Sequence, residues 1–198
     1  MGMKFTKVRS DTFQSLQINA GIVASAFAPA DGTIATTDIL GATTGGIQFA
    51  SNPEYMDFGE DVDNVPNNTY QLKRITSFNP VISGTFVAVD AALAQKLVGT
   101  NTYTTASGLI VPSNTIDLAD FGDIWFIGDY SDKNGSTNGG FIAIHVLKAY
   151  STGGFQWQST KDGKGQFAFE FTGHYDLDDI DKVPYEMYVK AGAAEPGA

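Results

Sequence analysis

The chain contains no cysteine. That removes a disulfide framework, a thiolate metal site and a cysteine nucleophile together, and it suits a protein made and used in a reducing cytoplasm. Histidine is nearly as scarce, with two in 198 residues. Positive charge is in short supply: 12 Lys and Arg stand against 22 Asp and Glu, for a formal net charge of -10. DNA binding exchanges lysine and arginine for counterions, so a domain of this charge repels free nucleic acid. Long apolar runs are missing too, the longest being strand-sized, and nothing reads as a membrane span. The basic start, with Lys4, Lys7 and Arg9, has no apolar run behind it and does not read as a signal peptide. The length fits one domain over 1–198, enough to bury a core without staples.

What is present is alternation with period two, the pattern of strands. Phe167, Phe169, Phe171 and Tyr175 share one face, and Gln166, Ala168, Glu170, Thr172 and His174 the other. Phe155 and Trp157 alternate in the same way with Gln156 and Gln158. The intervening Lys161-Asp-Gly-Lys-Gly165 contains an Asp-Gly step, which predicts a hairpin over about 154–175. Further strands are expected at 141–150, apolar on both faces, and at 81–89 and 123–128. A long early strand is expected at 13–27, with shorter ones at 46–50, 70–76 and 185–190.

One segment breaks the pattern. Asp90-Ala-Ala-Leu-Ala-Gln-Lys-Leu-Val-Gly99 predicts a short helix over about 90–98. Asp90 supplies the N-cap, Gly99 the stop, Leu93 and Leu97 an apolar stripe, and Lys96 a cation near the negative end of the dipole. Three connections read as long loops: 28–45, 53–68 and 99–115. The second is acidic, with Glu54, Asp57, Glu60, Asp61 and Asp63 and no base. Loops of this length in a compact domain usually carry function or lack order. The tail 191–198 reads as frayed and 1–12 as an N-terminal arm.

Catalytic signatures are thin. No nucleophile elbow, P-loop or dinucleotide fingerprint occurs. His145 falls on an apolar face with Phe141, Ala143 and Leu147, the place of a satisfied core or interface histidine, and His174 falls on a wet face. Asp176, Asp178, Asp179 and Asp181 resemble a calcium loop at first sight. An EF-hand needs glycine at its sixth position and glutamate at its twelfth, and here those are Asp181 and Met187, so a solvated turn is the simpler reading. No catalytic residue, metal site or cofactor is expected.

The order of parts resembles a family. The acidic segment leads into Tyr70-Gln-Leu-Lys-Arg-Ile-Thr-Ser77, then Val81-Ile-Ser-Gly-Thr-Phe-Val-Ala-Val89, then the lone helix closed by Gly99. The last strands end in Phe169-Glu-Phe-Thr-Gly-His-Tyr-Asp and Val183-Pro-Tyr-Glu-Met-Tyr-Val189. Over roughly 10–190 this layout is similar to the major tail (tail tube) proteins of siphophages and related prophages. The resemblance implies a mainly β fold, a two-sheet β-sandwich or partly closed barrel with one flanking helix. It implies subunits that close into hexameric rings and stack into a tube around a tape-measure protein, with terminator and tip proteins at the ends. DNA passes through without specific binding, the tube belongs to the virion tail, and the chain is made in the bacterial host cytoplasm. A ring of such acidic subunits is expected to have a net-negative channel.

Tyr55, Met56, Phe58 and Val62 lie among the carboxylates of 53–68, including Glu60, Asp61 and Asp63. Apolar groups there are expected to bury against a neighbouring copy, with the carboxylates facing its basic groups: Lys4, Lys7 and Arg9 of the arm, or Lys73 and Arg74. The alternative is a β-sandwich binding module of a phage fibre or cell-surface protein. It would hold glycans or a receptor on aromatics such as Tyr55, Trp125 or Trp157.

Overall fold

The computed structural model describes residues 9, 12, 16, 17, 19–130 and 139–192. Along the chain the strands and the helix are β1 Ile22–Ala24, β2 Ile39–Gly41, β3 Thr43–Asp57, β4 Lys73–Phe86, α1 Ala91–Val98, β5 Asn101–Thr104, β6 Leu109–Pro112, β7 Gly122–Tyr130, β8 Gly140–Ser151, β9 Gln156–Gln158, β10 Gln166–Thr172 and β11 Tyr185–Lys190. The fold is mainly β. Instead of two separate sheets or a barrel, the strands join into one nine-stranded antiparallel sheet in the order β2-β1-β7-β8-β10-β4-β3, with β11 also on β8 and β9 also on β10. The sheet does not close: β2 and β3 end it. A separate hairpin, β5–β6, occupies the segment expected as the loop 99–115.

The unity of the sheet comes from β8. Its residues 141–146 pair with β11, and Tyr150 and Ser151 pair with β10. Between these stretches Lys148 has a φ of 46°, the left-handed conformation that side chains with a Cβ rarely adopt. Every backbone group at this corner has a partner. Leu147 N–H donates to Pro184 O at 2.9 Å, and His174 N–H donates to Leu147 O at 3.2 Å. Lys148 N–H donates to Asp123 Oδ1 at 3.2 Å, and the His174 Nδ1–H donates to Lys148 O at 3.0 Å. The wet-face assignment of His174 thus gives way to a fixed role: it carries its proton on Nδ1, because a carbonyl only accepts.

The core gathers both halves of the sheet. Val23, Ile124, Phe126, Ile144 and Val146 from one half meet Ile82, Phe86, Phe169 and Phe171 from the other, with Leu93 and Leu97 of α1. Phe86 and Phe169 stack at 4.4 Å. The opposite face of β7 and β8 is covered as well, by a second cluster of Ala24, Trp125, Phe141 and Ala143 under Phe27 and Ile34. This is why 141–150 is apolar on both faces. Trp125 is 6% exposed, so it offers no surface for a glycan.

The helix forms as its sequence dictates. The Asp90 side chain accepts from Leu93 N–H at 2.7 Å, and Gly99 N–H returns to Gln95 O at 3.1 Å. Gly99 has a φ of 81°, and a Cβ there would lie 2.4 Å from the Tyr150 hydroxyl, so its absence is needed twice over. Burial pushes the Lys96 ammonium below its usual pKa, and the nearby charge of Asp123 opposes the shift. The expected early strand 13–27 contracts to β1, with an isolated bridge from Gln17 to Tyr130. Gly21, at a φ of 72° against the Phe126 ring, ends the extended run, and the Asn19 side chain takes its N–H; residues 13–15 and 18 lie outside the described residues. The expected strands 70–76 and 81–89 are one strand, β4, running through Pro80 after a short 3-10 turn at Tyr70–Leu72.

Two substitutions measure these contacts. Asp90→Ala removes the cap and is expected to cost about 1 kcal/mol. Leu97→Ala hollows the contact of α1 with both half-sheets and is expected to cost about 2–5 kcal/mol. Urea denaturation of both variants gives the two values, and a cap variant more destabilised than the core variant would contradict this account of the helix.

Candidate assembly interface

Residues 53–68 were expected as one loop, and the structure corrects this. Strand β3 runs on to Asp57 and pairs residue by residue with β4: Pro53 with Phe78, Glu54 with Ser77, Tyr55 with Ile75, Met56 with Arg74 and Asp57 with Lys73. The segment is the outer end of a long two-stranded arm, and only 58–69 is loop before the 3-10 turn. Pro53 stands in the edge strand, where a missing N–H breaks no inner ladder.

The tip is ordered by local bonds. Asp57 accepts from Gly59 N–H and from Asn68 N–H, each at 2.9 Å, and so ties the two ends of the loop together. Turns follow, with Asp61, Asn64 and Asn68 at φ between 63° and 69°. Asn and Asp tolerate that conformation best among residues with a Cβ. Leu72 and Val65 pack over Gly59, where a Cβ would meet them at 3.0 and 3.2 Å.

This small cluster does not absorb the other apolar groups. Tyr55 is 59% exposed and Tyr70 is 81% exposed, and Met56, Phe58, Val62 and Ile75 are exposed with them. Both faces of the arm are open over residues 54–56 and 73–76. The alternation that buries one face of the other long strands therefore fails here, because no layer of the described residues lies beneath the arm. Tyr70 and Ile75 were missed as interface candidates. Their placement across the arm from the acidic segment follows from a β3–β4 register that one sequence does not display.

Of the basic groups expected to meet this surface, Lys73 and Arg74 belong to the arm itself. Lys73 lies over the Tyr55 ring at 5.9 Å, and the strand register sets Lys73 against Asp57 and Arg74 against Met56. Both are exposed on the same element as the acidic segment. Arg9 is exposed, and its carbonyl accepts from Thr12. Lys4 and Lys7 lie outside the described residues. Glu60, Asp61 and Asp63 are exposed on the tip.

The other groups singled out by sequence have structural work. His145 stacks on Trp125 at 3.9 Å and lies between two carboxylates, with Nε2 at 2.9 Å from Asp123 and Nδ1 at 3.4 Å from Glu186. Asp176 pairs with Lys148 at 3.2 Å and accepts from Asp178 N–H, so the aspartate run forms a turn. Among the described residues, no group of three or more histidine and carboxylate side chains is placed to hold a metal ion. No helix among them is long and apolar enough to cross a membrane. No protein-family model matches the chain, and no curated protein shows significant similarity to it.

Glu186 carries a pH signature. The Tyr188 hydroxyl donates to it at 2.6 Å, Lys182 lies at 3.1 Å and His145 completes the set, and together they hold its carboxyl near a pKa of about 2 against the usual 4.5. The folded-state pKa is depressed. The contribution is therefore complete above the unfolded value and is lost as pH falls through about 2. Glu186 is partly exposed, so solvent screening keeps the effect modest. Urea midpoints measured across the acid range should fall more steeply for the wild type than for Glu186→Gln, and parallel curves would contradict this assignment.

Proposed function

We propose that this chain is a structural subunit that assembles with copies of itself into stacked hexameric rings, the tail tube of a long-tailed phage, through which DNA passes. The observation that carries this reading is the arm. Monomeric proteins seldom leave a projecting set of large apolar side chains such as Tyr55, Met56, Phe58 and Tyr70 without a partner to cover it. Two further exposed apolar groupings support a subunit that meets neighbours on several sides. Leu177, Ile180, Met187 and Val189 lie on and beside β11, and Leu109, Val111, Ile116 and Leu118 lie on and after β6.

The outward face of β3, β4, β10 and β9 suits a wall that DNA slides past. Alternation turns Phe167, Phe169 and Phe171 inward and leaves Gln166, Ala168, Glu170 and Thr172 outward, beside Gln48, Ser83, Thr85, Gln156 and Gln158. That set holds one carboxylate and no lysine or arginine, so it offers phosphate no counter-charge. On this reading the partners are other copies, a tape-measure protein and the terminator and tip proteins. The protein belongs to the virion tail.

A glycan-binding module is the second reading. It is favoured by Trp157, 68% exposed on the short strand β9, since an open indole face suits a sugar ring.

Electron microscopy of the purified protein separates the two, with rings or tubes of uniform diameter on the first reading and a glycan-binding monomer on the second. The arm is tested by replacing Phe58–Leu72 with Asn-Gly, which closes a two-residue turn between the register partners Asp57 and Lys73. The variant is expected to keep its circular dichroism spectrum and to lose tube formation. Normal tubes from it would remove the arm from the assembly.

A further inference from the structure

We propose that the arm tip of one copy seats on the β9–β10 turn of the next, so that copies add head to tail along the strand direction. This rests on the self-assembly reading above and names a partner surface for the acidic tip.

Strand register places the two surfaces. At one end of β4, Lys73 pairs with Asp57 next to the tip. At the other end, Phe86 pairs with both Thr43 and Phe167. Strand β10 therefore begins at the end of β4 remote from the arm, and the turn 159–165 that leads into it lies beyond that end. β4 has 14 residues, so tip and turn stand about 40 Å apart at the rise of an extended strand. One chain cannot bring them together, but a second copy in the same orientation can.

The two surfaces match in chemistry. Residues 58–72 carry Glu60, Asp61 and Asp63 and no base. The turn carries Lys161 and Lys164, both exposed and neither in an ion pair among the described residues, on either side of Asp162. Trp157, on the strand entering the turn, presents an open indole that Phe58 or Tyr70 of the arriving tip can cover. Tip against tip would bring carboxylates together, and turn against turn would bring lysines together, so both symmetric pairings are disfavoured. A contact between two different patches of one molecule leaves a free patch at each end of the growing array. It propagates instead of closing as a dimer, which is the symmetry a stack needs.

The absence of native cysteine makes the test direct. Asp61→Cys and Lys161→Cys are prepared as separate single-cysteine proteins and oxidised alone and mixed. The expected result is a cross-linked dimer chiefly in the mixture, because only there do the two thiols meet within disulfide reach. In parallel, Lys161→Glu with Lys164→Glu is expected to abolish elongation seen by light scattering and microscopy, and adding Glu60→Lys with Asp61→Lys to that chain is expected to restore it. If the wild type forms tubes while the mixture gives no excess cross-link and the charge-reversed chain assembles normally, this contact is overturned and the tube reading stands. If the wild type remains monomeric in sedimentation velocity at every concentration and salt tried, and no mixed cross-link forms, both are overturned.

Discussion

The fold depends on the corner of β8 at Leu147 and Lys148. Without a change of direction there, a strand of 12 residues would carry its pairing straight on, and the two half-sheets could not share a core. The left-handed Lys148 costs about 1–3 kcal/mol in local strain. Four hydrogen bonds from three directions hold it: Asp123 on β7, Pro184 ahead of β11, and the backbone and ring of His174 after β10. Each bond alone contributes about 1 kcal/mol. Together they fix the corner because removing any one leaves a backbone group at the bend without its partner. Asp123 does more than one job, since its other oxygen meets His145, which in turn reaches Glu186. A single carboxylate of β7 thus links the bend to β11 as well.

Once the corner is set, the arm follows from strand length. β3 and β4 are longer than β10, their neighbour in the sheet. Their inner ends cover the core through Ile47, Phe49, Ile82 and Phe86, and their outer ends run past the other described strands. A bare two-stranded ribbon is marginal in water. This one is steadied by the Asp57 clamp, by the packing of Val65 and Leu72 on Gly59, and by continuity with the sheet. Core and arm therefore divide the tasks. The core determines whether the chain folds, and the arm can change without the core losing a contact.

This division explains what the sequence made legible. Helix α1, strand β11 and the β9–β10 hairpin were readable because their signals are local: a cap and a stop nine positions apart, a compact alternating run, an Asp-Gly turn. The extension of β3 to Asp57 was not, because Pro53 and a dense run of carboxylates look like loop in one dimension. They are tolerated in a strand only because β3 is an edge. The left-handed Lys148 left no trace in composition, since nothing but the tertiary network pays for it. The exposed apolar residues of the arm were identified by type, but their joining with Lys73 and Arg74 on one element required the register.

The free edge of β3 raises the question of how such a chain avoids indiscriminate pairing. An open strand with apolar side chains is a template for aggregation. Here Pro53 interrupts the edge, a register shift between Glu54 and Tyr55 disturbs its regularity, and Glu54 and Asp57 place charge along it. An overall charge of -10 then repels any copy that approaches without a cation to offer. What remains permitted is an approach that presents lysine to the acidic tip and an aromatic surface to its apolar groups. On the proposed self-assembly, the acidity that sequence composition presents as a solubility device acts, on this surface, as a filter on the geometry of that contact.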